Sequence, residues 1–355
     1  MKTKAVILTG WVAAAAAAFG GESWREAPDG VGGVVLVTAS ADGEPEFECI
    51  GYADIASKRK VTPDSRFRMA SNTKGVAAAT ALSVVADGKL SLDDPVEKFF
   101  PSWKRLKAEK RPTLRMLLSH TAGLPFFPKG PLPGPGMCTL AEQVAKEGFV
   151  YEPGKDYRYG NWDIDVAMAM VEKATGRPFE VEMAERIFKP LGMTETTFVQ
   201  TPEQKAACVT MYKLGDGDPV PTKPERGRLI PPYKEYDVHP EGGGGLSSTP
   251  RDFIKFFQMI ARGGKAPDGK TVIPEDLMKE WGRKQTPAGV KEPYSLGMQA
   301  NEKEGWIHHG GAYQTWGEGN VKTRRARLFM VNMSGGNKAY KRLRAKWMKE
   351  SAGGK

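Results

Sequence analysis

Short apolar stretches bounded by turn residues lie near both ends of the chain. Residues 34–38 and 47–52 predict two strands, and the turn-rich segment 41–45 between them predicts that they form a hairpin. Near the C-terminus the same pattern predicts four more strands, over residues 294–298, 305–308, 316–322 and 327–333. Strands are therefore expected from both ends of the chain.

Longer apolar runs with the composition of helices occupy the middle of the chain. Residues 71–86 are rich in Ala and Val, have no Gly or Pro after Gly75, and are followed by Gly88, so one long apolar helix is predicted there. The Pro-rich segments 125–135 and 215–236 predict loops. Further helices are predicted over residues 113–119, 139–147, 162–175, 249–261 and 274–281, and a basic helix over residues 338–349.

This order of elements predicts an α+β fold. Strands from both termini would build one sheet, against which the inserted helical region packs. The chain has 355 residues, of which 40% are hydrophobic and 26% charged, which is enough for a sizeable core. That composition excludes an intrinsically disordered or a collagen-like protein.

The N-terminus has the pattern of a secretory signal peptide. A basic start, residues 1–4, precedes an apolar stretch, 5–19, and the small-x-small sequence that ends at Gly20. We therefore expect residues 1–20 to be removed and the protein to be exported, to the periplasm or outside the cell. An uncleaved membrane anchor is the alternative, but a membrane-spanning helix needs about 20 apolar residues, so no stable membrane insertion is expected.

Cysteines, histidines and charge narrow the functional classes further. The three cysteines lack C-x-x-C spacing, which excludes a disulfide framework and a thiolate zinc module. His308 and His309 are adjacent on a predicted strand, where side chains point to opposite faces, so they do not predict a metal site. The net charge of +10 suggests an anionic environment such as cell-wall material, and its dispersal argues against nucleic-acid binding.

Ser71 and Lys74 form an S-x-x-K motif at the start of the predicted apolar helix. Three-residue spacing places both side chains on one helical face, and the helix N-terminus offers backbone N–H groups beside the hydroxyl. An amine held there can activate the serine as a nucleophile. The same spacing occurs at Ser57 and Lys60, in a basic run that predicts a solvated turn, and Ser71 alone would equally suit a helix N-cap.

Two further segments carry groups suited to acyl chemistry. Tyr159 and Asn161 form the Y-x-N sequence at the start of a predicted helix; a phenol beside a lysine can shuttle a proton, and an amide can orient an acyl substrate. The alternative is a packed tyrosine and a helix cap. The third segment is His308-His309-Gly310-Gly311, where a strand that ends in glycines lets a substrate lie against its edge.

These three motifs, in this order, resemble those of the serine β-lactamase-related hydrolases, a family that includes class C β-lactamases, D-Ala-D-Ala carboxypeptidases, D-aminopeptidases and esterases. Residues 117–125, LLSHTAGLP, resemble the family's L-L-S-H-T-S-G-L-P segment, and residues 244–252 resemble its G-G-L-x-S-T-x-x-D segment. The resemblance implies an antiparallel sheet flanked by helices, with a sheet lobe made of residues 21–68 and 245–355 and a mainly helical lobe of residues 69–244.

The resemblance also implies roles for individual residues. Ser71 would be the acylated nucleophile, Lys74 its activating partner and Tyr159 the general base that also protonates the leaving group. The resemblance places the remaining roles around the substrate: Asn161 positions the acyl group, His308 polarises Tyr159 or meets a substrate carboxylate, Gly310 lies in the strand edge, and Gly311 donates its N–H, with that of Ser71, to the oxyanion.

The sequence thus predicts an exported serine hydrolase that acts through an acyl-enzyme on a small-molecule or peptide substrate, without a cofactor, as a monomer. A D-amino-acid peptide, an ester and a β-lactam all remain candidate substrates. A histidine is largely uncharged at neutral pH and holds a carboxylate less firmly than lysine does, which favours a peptidase or an esterase over a dedicated β-lactamase. The alternative is a non-catalytic cell-wall-binding or penicillin-sensing protein on the same scaffold.

Overall fold

A computed structural model describes residues 32–126, 136–214, 219–221, 241–333 and 338–352. The predicted signal peptide and most of the two predicted loops lie outside these residues.

Seven strands form one antiparallel sheet in the order β3-β2-β1-β11-β10-β9-β8. The N-terminal strands pair with the C-terminal ones where β1 runs beside β11, with Val34 opposite Val331. Both strands are buried and apolar, as expected at the centre of a sheet covered on both faces. The bounds are β1 Gly33–Ser40, β2 Glu46–Asp54, β3 Arg59–Lys60, β8 Gln299–Asn301, β9 Trp306–Gly310, β10 Trp316–Asn320 and β11 Arg325–Val331.

Two pairs of short strands complete the β-structure of the described residues. In the first pair, β4 (Phe67–Arg68) lies antiparallel to β7 (Ser247–Ser248), which ties the segment before Ser71 to a segment far along the chain. In the second pair, β5 (Tyr212–Leu214) lies beside β6 (Pro219–Pro221).

The helices of the described residues come mainly from the middle of the chain. A 3₁₀ turn, Ala70–Asn72, leads directly into α1, and 3₁₀ turns also cover Val96–Lys98 and Pro101–Arg105. A π-helical stretch, Ala184–Phe188, connects α5 to α6. The α-helices are α1 Thr73–Ala86, α2 Leu114–Leu118, α3 Met137–Glu147, α4 Trp162–Thr175, α5 Phe179–Met183, α6 Lys189–Leu191, α7 Pro202–Ala206, α8 Pro250–Ala261, α9 Glu275–Trp281 and α10 Lys338–Ala352.

The sheet separates two apolar cores. On one face α8 packs its Phe253 and Phe257 against β1, β10 and β11, and the Ala-rich helix α1 joins this core, since it is buried on all sides. On the other face Trp347 of α10 packs with Trp316 and Phe329 of the sheet. Because side chains alternate between the faces of a strand, each side chain of β9 faces one side of the sheet or the other.

The predicted α+β fold, with one antiparallel sheet and flanking helices, is confirmed. The strand predicted over residues 294–298 is wrong. Those residues form a tight turn in which Ser295 N–H donates to Met298 O at 2.7 Å, because Gly297 adopts a positive φ of 67° and donates its N–H to Leu118 O. Strand β8 begins one residue later, at Gln299.

Candidate active site

Ser71 lies in the 3₁₀ turn that precedes α1, directly after a residue with a strained backbone conformation. Ala70 adopts a left-handed φ of 46°, which few residues with a side chain adopt, and so turns the chain from β4 towards the helix. The backbone on either side is fixed, because Met69 N–H donates to Leu246 O and Thr73 Oγ1 accepts from Leu246 N–H. Ser71 is only half-buried.

The amine of Lys74 lies beside this hydroxyl, with Nζ 3.2 Å from Ser71 Oγ. Nζ also donates to Asn161 Oδ1 at 2.7 Å and to the carbonyl of Gly243 at 2.5 Å. Since the side chain is fully buried, these contacts with oxygen atoms compensate for its loss of water. Two oxygens thus hold the amine while its third position faces the serine.

Gly243 supplies a backbone carbonyl to Lys74, and a hydrogen bond and close packing fix the position of Gly243 itself. Its N–H donates to Asp165 Oδ1 at 3.0 Å, and a Cβ at this residue would lie 2.8 Å from the side chain of Asn161. Only glycine therefore allows this close approach to Asn161. Burial raises the pKa of Asp165 to about 6, against the effect of its backbone hydrogen bonds and of Lys74.

The ring of Tyr159 lies on another side of the Lys74 amine. Lys74 Nζ lies 4.8 Å from the centroid of its ring. The structure therefore brings four of the predicted residues into one cluster: Ser71, Lys74, Tyr159 and Asn161. Asn161 accepts from Lys74 through Oδ1, so its amide also holds the lysine in place.

The histidine that faces Tyr159 is His309, and this corrects the placement predicted for His308. The ring of His309 stacks on Tyr159, with centroids 6.0 Å apart and planes 30° apart. His308 points to the opposite face of β9, where it packs against Trp316 and Arg344 approaches it. Neighbouring residues of a strand project to opposite faces, so only one of the two histidines can reach the site.

Gly310 is the last residue of β9 and Gly311 follows it, and the role predicted for the N–H of Gly311 is not supported by its geometry. That N–H donates to Thr315 O at 2.6 Å, so it already has an acceptor within the loop between β9 and β10. The carbonyl of Gly310 accepts from His309 Nδ1 at 2.6 Å.

Three buried residues behind Tyr159 were not predicted from the sequence as part of the site. His120 and Tyr294 pack against the Tyr159 ring, with centroids 4.7 Å and 6.0 Å away, and Asp163 of α4 lies beside His120. His120 is in the segment that resembles the family's L-L-S-H-T-S-G-L-P sequence, which was the available signal. Tyr294 lies in the segment mistaken for a strand.

Ser57, in the second S-x-x-K sequence, lies in an exposed turn. Its hydroxyl donates to Asp54 Oδ1 at 2.7 Å, and Lys60 Nζ lies over the Tyr52 ring. The prediction of a solvated turn is therefore confirmed for Ser57, whereas Arg59 and Lys60 form strand β3. Within the part of the chain that the structure describes, no group of His, Cys, Asp and Glu side chains could hold a metal ion. None of the helices described is long and apolar enough to cross a membrane.

Comparison with known proteins gives a family match over residues 20–349, to the family described as Beta-lactamase. The Mycobacterium tuberculosis protein Rv1367c is 29% identical over 252 residues, which cover 64% of this chain and 62% of that protein. The chain thus spans less than two thirds of this relative's length. Esterase EstB of Burkholderia gladioli is 27% identical over 308 residues, which cover 74% of this chain and 76% of the esterase.

A solved structure with the same fold is that of EstCE1, described as a hydrolase with promiscuous acyltransferase activity. It matches with a TM-score of 0.76 and 22% identity, over 92% of this chain and 95% of EstCE1.

Proposed function

The chain belongs to the beta-lactamase family, and from this we propose that it is a serine hydrolase that cleaves uncharged esters through an acyl-enzyme on Ser71. The observation that carries the proposal is the position of Lys74, whose Nζ lies 3.2 Å from Ser71 Oγ while two carbonyl-type oxygens hold it. If Ser71 served only as a helix cap, its hydroxyl would need no buried amine beside it.

Acylation follows from this arrangement. Ser71 Oγ bonds to the acyl carbon, and its proton passes through Lys74 and Tyr159 to the alcohol oxygen, which leaves as the C–O bond breaks. A water molecule then attacks the acyl carbon. Its proton passes through Tyr159 back to Ser71 Oγ, and the carboxylic acid is released. Ser71 retains partial exposure to solvent, whereas the lysine is fully buried.

The uncharged state of His309 supports esters without a carboxylate as the substrate class. Burial, and after it the charge of Lys74, lowers the pKa of His309 to about 3, so this imidazole carries no charge at neutral pH. A β-lactam or a D-Ala-D-Ala peptide presents a carboxylate, which an uncharged imidazole binds weakly. The relative EstB is named an esterase, which agrees with this choice.

The test compares Ser71→Ala with Ser57→Ala in the matched second motif. Both variants and the original protein are assayed with 4-nitrophenyl butyrate, nitrocefin and a D-Ala-D-Ala peptide, and are labelled with a fluorophosphonate. We expect the original protein and Ser57→Ala to hydrolyse the butyrate fastest and to label, and Ser71→Ala to do neither. Normal turnover by Ser71→Ala would overturn the assignment, and faster cleavage of either carboxylate-bearing substrate would overturn the ester class.

The non-catalytic alternative makes a different prediction in the same assay. A penicillin-sensing or wall-binding protein would release one equivalent of product in a burst and then stop, because its acyl-enzyme is not hydrolysed. Steady turnover over many equivalents would exclude it.

We also propose that the protein is exported after cleavage near residue 20. The family match begins at residue 20, which leaves the apolar N-terminal stretch outside the matched region. Sequencing the N-terminus of the protein recovered outside the cytoplasm would test this. An intact Met1 on a protein found only in the cytoplasm would contradict it.

A further inference from the structure

Four buried polar side chains form a continuous row of contacts behind Tyr159, and in this section "the chain" means this row of side chains. His309 Nε2 lies 2.9 Å from the hydroxyl of Tyr294, and that hydroxyl lies 3.3 Å from Nε2 of His120. At the far end, Nδ1 of His120 lies 3.4 Å from Oδ2 of Asp163. The chain starts on strand β9, crosses the turn that carries Tyr294 and ends on helix α4.

A backbone carbonyl sets the direction of the hydrogen bonds. His309 Nδ1 lies 2.6 Å from Gly310 O, and a carbonyl only accepts, so Nδ1 must carry a proton. In an uncharged imidazole the other nitrogen, Nε2, is then an acceptor, and Tyr294 O–H must donate to it. With its proton used in this way, the Tyr294 oxygen accepts from His120 Nε2–H.

The proton positions at the His120 and Asp163 end follow in the same way. Once His120 carries its proton on Nε2, its Nδ1 can only accept. Asp163 Oδ2 lies 3.4 Å from it, and among the described residues neither of these two buried atoms has a hydrogen-bond partner, a lack that a proton shared between them would remove. An ionised carboxylate has no proton to give, so a protonated Asp163 is the state that completes the chain.

Burial favours the uncharged state of both Asp163 and His120. Asp163 and His120 are almost fully inaccessible to water. Desolvation raises the pKa of Asp163 well above its usual range, against the effects of its own backbone N–H and of Lys74. Desolvation, followed by the charge of Lys74, also lowers the pKa of His120 well below its usual range.

The chain supports Tyr159 on several sides. The ring of His120 lies 4.7 Å from the Tyr159 ring, and the rings of His309 and Tyr294 each lie 6.0 Å away. The backbone of His120 is tied to the same segment, because its carbonyl accepts from Arg158 N–H at 3.0 Å. Displacement of any of these three side chains would therefore shift the Tyr159 ring.

We propose that Asp163, His120 and Tyr294 are positioning residues, with Asp163 acting as a protonated acid that donates to His120 and the chain holding an uncharged His309 and Tyr159 in place for catalysis. The effect on turnover rests on the proposed function of Tyr159. The protonation states do not rest on it and can be measured without a substrate.

The first test is ¹⁵N NMR of the full protein labelled at histidine. The sequence has four histidines, so the ring signals can be assigned with one His→Gln variant for each. We expect His309 to be protonated only on Nδ1 and His120 only on Nε2 at pH 7. A His120 ring protonated on both nitrogens would overturn the proposal, because Asp163 would then be an ionised partner.

The second test uses variants of two of the four groups, Asp163 and Tyr294. Asp163→Asn retains a donor for His120 Nδ1, so we expect kcat on the ester within about twofold of the original protein. Asp163→Ala leaves His120 Nδ1 without its donor, and Tyr294→Phe leaves Nε2 of both His309 and His120 without a partner. In each variant we expect kcat to fall about tenfold or more while KM changes little, because catalysis is sensitive to small displacements.

Thermal unfolding and fluorophosphonate labelling of each variant separate loss of positioning from loss of folding. An Asp163→Asn variant that folds but loses as much activity as Asp163→Ala would overturn the proposal, as would an unchanged kcat in Tyr294→Phe. If the original protein hydrolyses no ester at all, the proposed function fails, while the NMR result still decides whether the chain has these protonation states.

Discussion

Thr315 Oγ1 donates a hydrogen bond to the carbonyl of Met69 at 3.2 Å, two residues before the candidate nucleophile. The same oxygen accepts from Asn72 Nδ2 at 2.9 Å, one residue after the nucleophile. The loop that follows β9 is thereby joined to both sides of Ser71. Thr315 thus links the loop after His308–Gly311 to the Ser71–Lys74 motif, and it holds the turn that contains the left-handed Ala70.

Replacing this hydroxyl tests how far the contact fixes Ser71. In Thr315→Val the shape is retained, but buried Met69 O and Asn72 Nδ2 lose a partner, at a cost of about 1–3 kcal/mol in the free energy of unfolding. We expect acylation by 4-nitrophenyl butyrate to slow as well, measured by stopped-flow release of nitrophenol. The control is Thr323→Val, in an exposed turn. Equal acylation rates in both variants would show that the contact does not position Ser71.

Removing the buried amine should affect turnover far more than folding. Lys74→Ala removes the amine through which the proton of Ser71 passes in the proposed mechanism, so kcat/KM for the ester should fall by roughly 10²–10⁴. The matched control is Lys60→Ala, which removes the lysine of the second S-x-x-K motif and should leave kcat/KM unchanged. Circular dichroism of both variants checks that they fold. A folded Lys74→Ala with an unchanged rate would remove the lysine from the mechanism.

Parts of the site could be predicted because they depend on local spacing. Ser71 and Lys74 are three residues apart, and the helical course from the 3₁₀ turn into α1 brings their side chains together. The carbonyl of Gly243 could not be predicted, because every residue has a carbonyl and only the tertiary fold selects this one. The overall fold was predictable from the order of strands and helices, as the pairing of β1 with β11 confirms.

The choice between His308 and His309 depends on strand register. A shift of one residue exchanges the two faces of a strand, and the sequence of two adjacent histidines does not fix that register. The register is set by the pairing of β9 with β10, in which Gly310 lies opposite Trp316. Tyr294 was missed for a related reason, since its segment has the composition of a strand while Gly297 turns it.

The packing of α8 on the sheet predicts that replacing one glycine of the sheet destabilises the fold. A Cβ at Gly317 of β10 would overlap the ring of Phe257, so the helix would have to move away from the sheet. We expect Gly317→Ala to lower the free energy of unfolding by about 1–3 kcal/mol, measured by urea denaturation. The control is Gly289→Ala, where an added Cβ meets no atom within 4 Å. Equal stability of the two variants would contradict this packing.

His308, on the face of the sheet opposite the candidate site, should make folding sensitive to acid. Desolvation, and after it the charge of Arg344, lowers its pKa to about 4 in the folded protein, whereas an unfolded histidine has its usual value of 6.5. Between these pH values the unfolded chain binds a proton that the folded chain does not. The free energy of unfolding should therefore fall as the pH falls from 6.5 towards 4, with a contribution from His308 of up to about 1.4 kcal/mol per pH unit.

His308→Gln removes this one contribution and keeps a polar side chain of similar length. Urea denaturation of both proteins at pH 8, 6.5 and 5 gives the comparison, and the values at pH 8 serve as the reference because neither protein has a proton bound at residue 308 there. His120 and His309 still titrate in the variant, so its stability should also fall with acid, but less steeply than that of the original protein. Parallel curves would show that His308 is protonated equally in the folded and unfolded chains, and that it is not desolvated beneath α10.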